Sequence, residues 1–317
     1  MIVYRELSSL ERDLGIPAKT LYAVSNSLSR HYRMVSIPKK TGGARNLMVP
    51  DTALKTIQRR ISDVLLAHMP VSSYATAYRF GTCTLRNAAV HVGKPVVLKL
   101  DIFHFFDSIP YSLVKEKAFP AHIYAEQIRT LLTMLCYHKD VLPQGAPSSP
   151  AIVNIILADF DERIGRWCTQ REIAYTRYCD DLTFSGDFDP KEVIKFVVAQ
   201  LKSLGLLLNT NKTRVQRQGQ QQLVTGVIVN EKPGVPAVYR RQLRQEMHYC
   251  QKFGVGEHLK FLGQGISEEA YLRQLLGKVN YVLHIVPDCE EFQQYRTWIL
   301  PNPQAATGTG QFLWKDL

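Results

Sequence analysis

Residues Tyr175 to Gly186 read YTRYCDDLTFSG, and this stretch constrains the fold more than any other. Two adjacent aspartates stand between segments rich in Tyr, Thr, Leu and Phe, residue types that suit a pleated surface. A strand–turn–strand is therefore expected, with both carboxylates at a tight turn. Carboxylates held that close repel each other unless a cation or open solvent compensates them. Taken alone, the pair fits a solvated turn better than a metal site. The rest of the chain has to choose.

Upstream, PVVLKLDIFHFF is a continuous apolar strand that ends in an acid, Asp101. If it pairs with the strands around Asp180 and Asp181, three carboxylates converge at one edge of a sheet. Such a set cannot stay ionised without a cation, and oxygen-only ligands suit hard Mg²⁺. Alternation along a strand predicts Asp180 as the firmer ligand and Asp181 as the more peripheral one. Around this centre, LERDLGIPAKTLYAVSNSLSRHY reads as short helices broken at Gly15-Ile16-Pro17, and MVSIPKKTGGARNLMVP as a hairpin turning at Gly42-Gly43. SSPAIVNIILADFDERIGRWC has a Ser-Ser-Pro start and sustained helical spacing, which predicts one long helix. QQLVTGVIVNEKPGVPAV reads as a hairpin bending at Lys232-Pro233-Gly234, and from Tyr239 onward only helical patterns occur.

The net charge is +11, and residues 1–60 hold eleven Lys and Arg against four Asp and Glu. An excess localised in this way suggests a polyanion surface, although charge alone fits a merely basic protein equally well. No apolar run reaches the roughly eighteen residues of a membrane span. The polar N-terminus is unlike a signal peptide, and the six cysteines form no CxxC pair. A cytoplasmic protein without a membrane partner is the expectation.

YCDD resembles the YxDD box of reverse transcriptases, and further blocks match that family in order. LKLDIFHFFDSIP resembles the strand carrying the first metal-binding aspartate, LPQGAPSSPAIVNI the LPQG-x-x-x-SP segment, LGLLLNTNKTRV the block with an active-site lysine, and QLVTGVIVN the primer-gripping hairpin. NAAVH at Asn87–His91 and VTG at Val224–Gly226 are similar to signatures of retron reverse transcriptases. The resemblance covers roughly residues 30–285.

It implies an α/β (α+β) fold of right-hand polymerase architecture, with fingers, an antiparallel palm sheet and a helical thumb. The corresponding boundaries are 1–35 for an N-terminal helical extension, 36–236 for fingers and palm, and 237–317 for thumb and tail. Asp101, Asp180 and Asp181 would be catalytic and would hold two Mg²⁺ ions together with Ile102. Phe106 matches an aromatic steric gate that selects deoxynucleotides, while Phe105 reads as core. Gln144 and Gly145 resemble residues contacting the incoming dNTP and template, glycine permitting close backbone approach. Arg45 and one of Lys39 and Lys40 resemble triphosphate contacts, with the choice between the lysines open. Lys212 resembles a lysine that protonates the pyrophosphate leaving group, and a plain surface lysine explains it equally well. Arg79 is a template or triphosphate candidate. Asn87, His91, Val224, Thr225 and Gly226 are candidates for recognising a cognate RNA. Arg240, Arg241 and Arg244 share one helical flank suited to a duplex backbone.

The function implied is copying of a structured noncoding RNA into a branched RNA–DNA product, within an anti-phage system that includes an effector or toxin protein. About thirty residues follow Pro287, too few for an RNase H domain, so host RNase H is the expected agent of template removal. Two other readings stay open. One is a reverse transcriptase of group II intron-like or abortive-infection lineage, and the other is an RNA-binding scaffold that restrains a toxin.

Overall fold

The computed structural model describes residues 3–38, 42–263 and 265–300. They form two compact units, Met1–Cys83 with Pro95–Arg217, and Thr84–Lys94 with Gln218–Leu317. Residues 84–94 belong to the second unit, whose main segment begins at Gln218.

The first unit begins with α1 (Leu7–Leu14) and α2 (Ala18–Asn26), separated at Gly15, whose φ of +67° suits a residue without a Cβ. β1 (Tyr32–Pro38) and β2 (Ala44–Pro50) pair antiparallel, with Tyr32 opposite Pro50 and Pro38 opposite Ala44. The Asp51 side chain accepts a hydrogen bond from the Leu54 amide and so caps α3 (Thr52–Arg60), which continues as a π-helical turn over Ile61–Leu66.

The central sheet has the order β4-β5-β3-β6. β3 (Val96–Asp101) pairs antiparallel with β5 (Asp181–Gly186) and β6 (Arg214–Arg217), while β4 (Ala174–Tyr178) pairs with β5. Val97, Leu98 and Leu100 of β3 are buried, as its unbroken apolar run requires, and Leu98 and Leu100 share a core with Leu182 and Phe184 of β5. Helices α5 (Tyr111–Lys117), α6 (Glu126–Cys136), α7 (Ser149–Ile156), α8 (Ala158–Thr169) and α9 (Pro190–Lys202) complete this unit. The long helix expected from residue 148 is two helices. The chain flattens at Leu157 (φ −87°, ψ 3°), although amide bonds from Leu157 to Val153 and from Asp161 to Leu157 carry the turn through.

The second unit contains α4 (Thr84–Ala89), β7 (Leu223–Val224), β8 (Val227–Ile228), α10 (Ala237–Phe253), α11 (Val255–Leu262), α12 (Glu268–Ile285) and α13 (Glu290–Ile299). β7 and β8 pair around Thr225-Gly226, not around Lys232-Pro233-Gly234. The latter stretch closes a second loop through the Ile228–Gly234 bridge. The stripe Leu272, Leu275, Val279 and Val282 on α12 is fully buried, each side chain contributing about 1.5–3 kcal/mol. No helix among the described residues is long and apolar enough to cross a membrane.

Candidate active site

The sheet brings the three aspartates to one edge. Asp101, the last residue of β3, stands opposite Asp181, the first residue of β5. Asp180 lies in the turn between β4 and β5, and its carbonyl accepts from the Ile102 amide at 3.1 Å. Burial raises the Asp180 carboxyl above the usual range, and the charge of Asp101 adds to the rise. Burial and then the charge of Asp180 push Asp181 up to about 6, with Lys99 and Lys212 pulling the other way. Ionising all of these groups is therefore costly, and a bound cation would relieve the cost.

Asp101 is itself buried and answered by cationic and amide donors. Lys212 Nζ lies 2.8 Å from Asp101 Oδ2, and Asn209 Nδ2 donates to Oδ1 at 3.1 Å. The Asn209 amide also donates to the Asp101 carbonyl at 2.8 Å. Hydrogen bonding to Asp101 raises the Lys212 ammonium in turn. The Lys212 side chain is 60% exposed while Asp101 is buried, so solvent screens this ion pair from the lysine side. Asn209 was not anticipated from sequence, where its only mark is the polar run NTNK after an apolar stretch. Among the described residues no three His, Cys, Asp or Glu side chains stand ready-made as a metal cluster. The donor chemistry nonetheless suits a divalent cation, because an ammonium already occupies one carboxylate and the other two are held above their normal range.

Phe105 is buried and Phe106 half-buried, with their rings 5.3 Å apart. The Phe106 carbonyl accepts from the Leu142 amide, tying it to the loop that holds Gln144 and Gly145. The Gln144 carbonyl accepts from the Met48 amide at 3.0 Å. Gly145 has φ +118°, and a Cβ there would meet the Met48 carbonyl at 3.0 Å. The close backbone approach that this glycine permits is thus to β2. Arg45 is exposed on β2 opposite Ile37, while Lys39 and Lys40 lie outside the described residues.

A reverse transcriptase (RNA-dependent DNA polymerase) family model matches residues 37–266. The chain belongs to the reverse transcriptase family. It is 30% identical to the retron Ec86 reverse transcriptase of Escherichia coli over 266 residues, 81% of this chain and 82% of that one. It is 37% identical to the retron Mx65 reverse transcriptase of Myxococcus xanthus over 269 residues, 78% of this chain but 63% of that one. With the retron Ec83 reverse transcriptase of E. coli the identity is 35% over 211 residues, covering 62% and 68%. The family's activity is RNA-directed DNA polymerisation, with RNA as the template partner.

In this reverse transcriptase the two retron-like signatures meet each other. Asn87 Nδ2 donates to Thr225 Oγ1 at 3.2 Å, and that hydroxyl donates to the Thr84 carbonyl at 3.1 Å. Asn87, His91 and Val224 are fully buried. Burial, with Lys94 nearby, pushes the His91 imidazole down to about 4. Thr225 and Gly226 are half-buried at the turn with φ +45° and +84°, and Tyr281 donates to the Gly226 carbonyl. Arg79 Nη1 is turned onto the carbonyls of Ser72 and Ala75 rather than outward. Arg244 pairs with Glu291 through two nitrogens at 2.7 Å each, an ion pair at the surface. Arg240 is half-buried, while Arg241 and Arg244 are exposed.

Proposed function

We propose that this reverse transcriptase copies a cognate structured RNA into DNA that stays joined to it through a 2′-hydroxyl, as part of an anti-phage system. The reading rests on one observation, the pairing of Asp101 with Asp181 beside the Asp180 turn at a sheet edge. Asp101, Asp180 and Asp181, with Ile102 alongside, would hold two Mg²⁺ ions. When bound, such ions supply Lewis-acid charge to the attacking hydroxyl and the departing pyrophosphate. Lys212 would leave Asp101 and carry its proton toward the leaving pyrophosphate. Phe106 would block the ribose 2′-hydroxyl of an incoming nucleotide, and Gln144 with Gly145 would border nucleotide and template. Arg45 and one of Lys39 and Lys40 would contact triphosphate.

Asn87 would act on RNA indirectly, by holding the Thr225–Gly226 turn, His91 would contribute to recognition of the same RNA, and Arg241 would meet backbone phosphate. The same reading assigns template removal to a separate RNase H and couples the enzyme to an effector protein. Sequencing the nucleic acid that copurifies with the protein from cells tests it. One RNA species carrying branched DNA is the expected result. Heterogeneous host RNA without branched DNA would contradict the retron reading.

A further inference from the structure

The turn that presents Asp180 has a left-handed non-glycine residue at its head. Cys179 has φ +60°, a conformation that costs an L-residue about 1–3 kcal/mol and persists only where the surroundings hold it. The group touching the Cys179 carbonyl is the guanidinium of Arg177, whose Nη1 donates to it at 3.1 Å.

Arg177 is 0% exposed, as is Asp161 of α8, which receives it. Nε donates to Asp161 Oδ1 at 2.9 Å and Oδ2 at 3.0 Å, and Nη2 donates to Oδ2 at 2.6 Å. Tyr175 Oη donates to Asp161 Oδ1 at 2.8 Å, fixing the carboxylate from the same strand. Nη1 also donates to Asn154 Oδ1 on α7 at 3.1 Å, and Asn154 Nδ2 donates onward to the Ala77 carbonyl at 2.9 Å. The Arg177 main chain is pinned as well. Its amide donates to the Tyr74 carbonyl and its carbonyl accepts from the Thr76 amide, both at 2.8 Å.

A buried ion pair of this kind gives weak net stability, because desolvation offsets its attraction. Two apolar side chains would hold α8 to the sheet as well. They would not supply a rigid fork that reaches from Asp161 to a carbonyl next to Asp180. Only the planar guanidinium spans both ends.

We infer that Arg177 is a positioning residue for the carboxylate centre. Clamped by Asp161 and Asn154, it holds Cys179 in its left-handed conformation and so sets where Asp180 and Asp181 stand relative to Asp101. It touches neither substrate nor metal. This inference rests on the reading of those aspartates as the metal-holding set.

Arg177→Lys tests it, because lysine keeps a positive charge against Asp161 but cannot bridge to the Cys179 carbonyl. The measurements are Mn²⁺ binding to the nucleotide-free protein by electron paramagnetic resonance, and kcat, KM for dNTP and the Mg²⁺ concentration for half-maximal rate in primer extension. A folded Arg177→Lys protein is expected to bind Mn²⁺ about fivefold or more weakly and to need correspondingly more Mg²⁺. Its kcat should fall by about tenfold or more at saturating metal while KM for dNTP stays within about twofold. Asn154→Ala, which leaves the ion pair intact and loosens Nη1, should shift the same quantities in the same direction by less. It decides the matter should Arg177→Lys fail to fold. Wild-type metal affinity and kcat in a folded Arg177→Lys protein, or in Asn154→Ala where only that variant folds, would overturn the positioning role alone. A wild-type protein that binds no Mn²⁺ at its aspartates would overturn the metal reading, and this inference with it.

Discussion

Asp181 has to carry charge where burial and the neighbouring Asp180 both oppose it. Its carboxyl titrates near about 6 in the folded chain, against about 3.9 in an unfolded one. Between those values the native state binds the extra proton, so stability from this group is greatest below pH 4 and falls as pH rises to about 6. After allowance for solvent screening, the loss is on the order of 1–2 kcal/mol. Metal-free Asp181→Asn should therefore melt a few degrees above the wild type at pH 7.5, and Mg²⁺ should raise the wild type but not the variant. Equal melting temperatures without metal would show that the site carries no such penalty. Phe106 gives a second test at this scale. Phe106→Ala should raise incorporation of ribonucleotides relative to deoxynucleotides by roughly tenfold or more, measured in competition. Unchanged discrimination would locate the sugar gate at another residue.

At the scale of elements, α4 and the β7–β8 turn behave as one piece joined by Asn87 and Thr225. His91 remains neutral in that piece, with a folded pKa of about 4 against about 6.5 when unfolded. Stability is thus intact above pH 6.5 and declines as pH falls from there toward 4, by up to about 3 kcal/mol. Amide protection across residues 84–94 and 223–228, corrected for the intrinsic pH dependence of exchange, should fall over that window and much less so in His91→Phe, and pH-independent protection in the wild type would contradict it. Spacing alone could not reveal this piece. Residues four apart share a face only while a helix lasts, and α4 ends at Ala89 before His91; nothing in NAAVH says where the helix stops or whether its face is wet or buried. Thr225 is not a residue type that announces a turn, which is why Lys232-Pro233-Gly234 drew the bend instead. The break at Leu157 was equally hidden, because hydrogen bonds carry the helical period across it. By contrast, the apolar run of β3 and the strand composition around Asp180 were sufficient to anticipate the pairing that frames the site.

For the molecule as a whole, the distribution of information in the sequence follows the physics of each contact. Periodicity reports which faces are apolar, and the central sheet with its enclosing helices was legible for that reason. Charged residues paired across distant segments have no period. Hence Arg177 with Asp161 emerged only once the chain was folded, whereas the family block around Lys212 already pointed to the active site, and only its ion pair with Asp101 had to be seen in the fold. LKLDIFHFFDSIP, YCDD and LGLLLNTNKTRV carry the segments that meet at Asp101, Asp180 and Asp181, so the polymerase reading rests on the chemistry of those carboxylates. Extension of a DNA primer on an RNA template, with purified protein, dNTPs and Mg²⁺, tests it most directly when wild type and Asp180→Asn are run side by side. Mg²⁺-dependent extension by the wild type, with a loss of at least about a hundredfold in the variant, is predicted. A folded Asp180→Asn protein that extends the primer at the full wild-type rate would contradict the account.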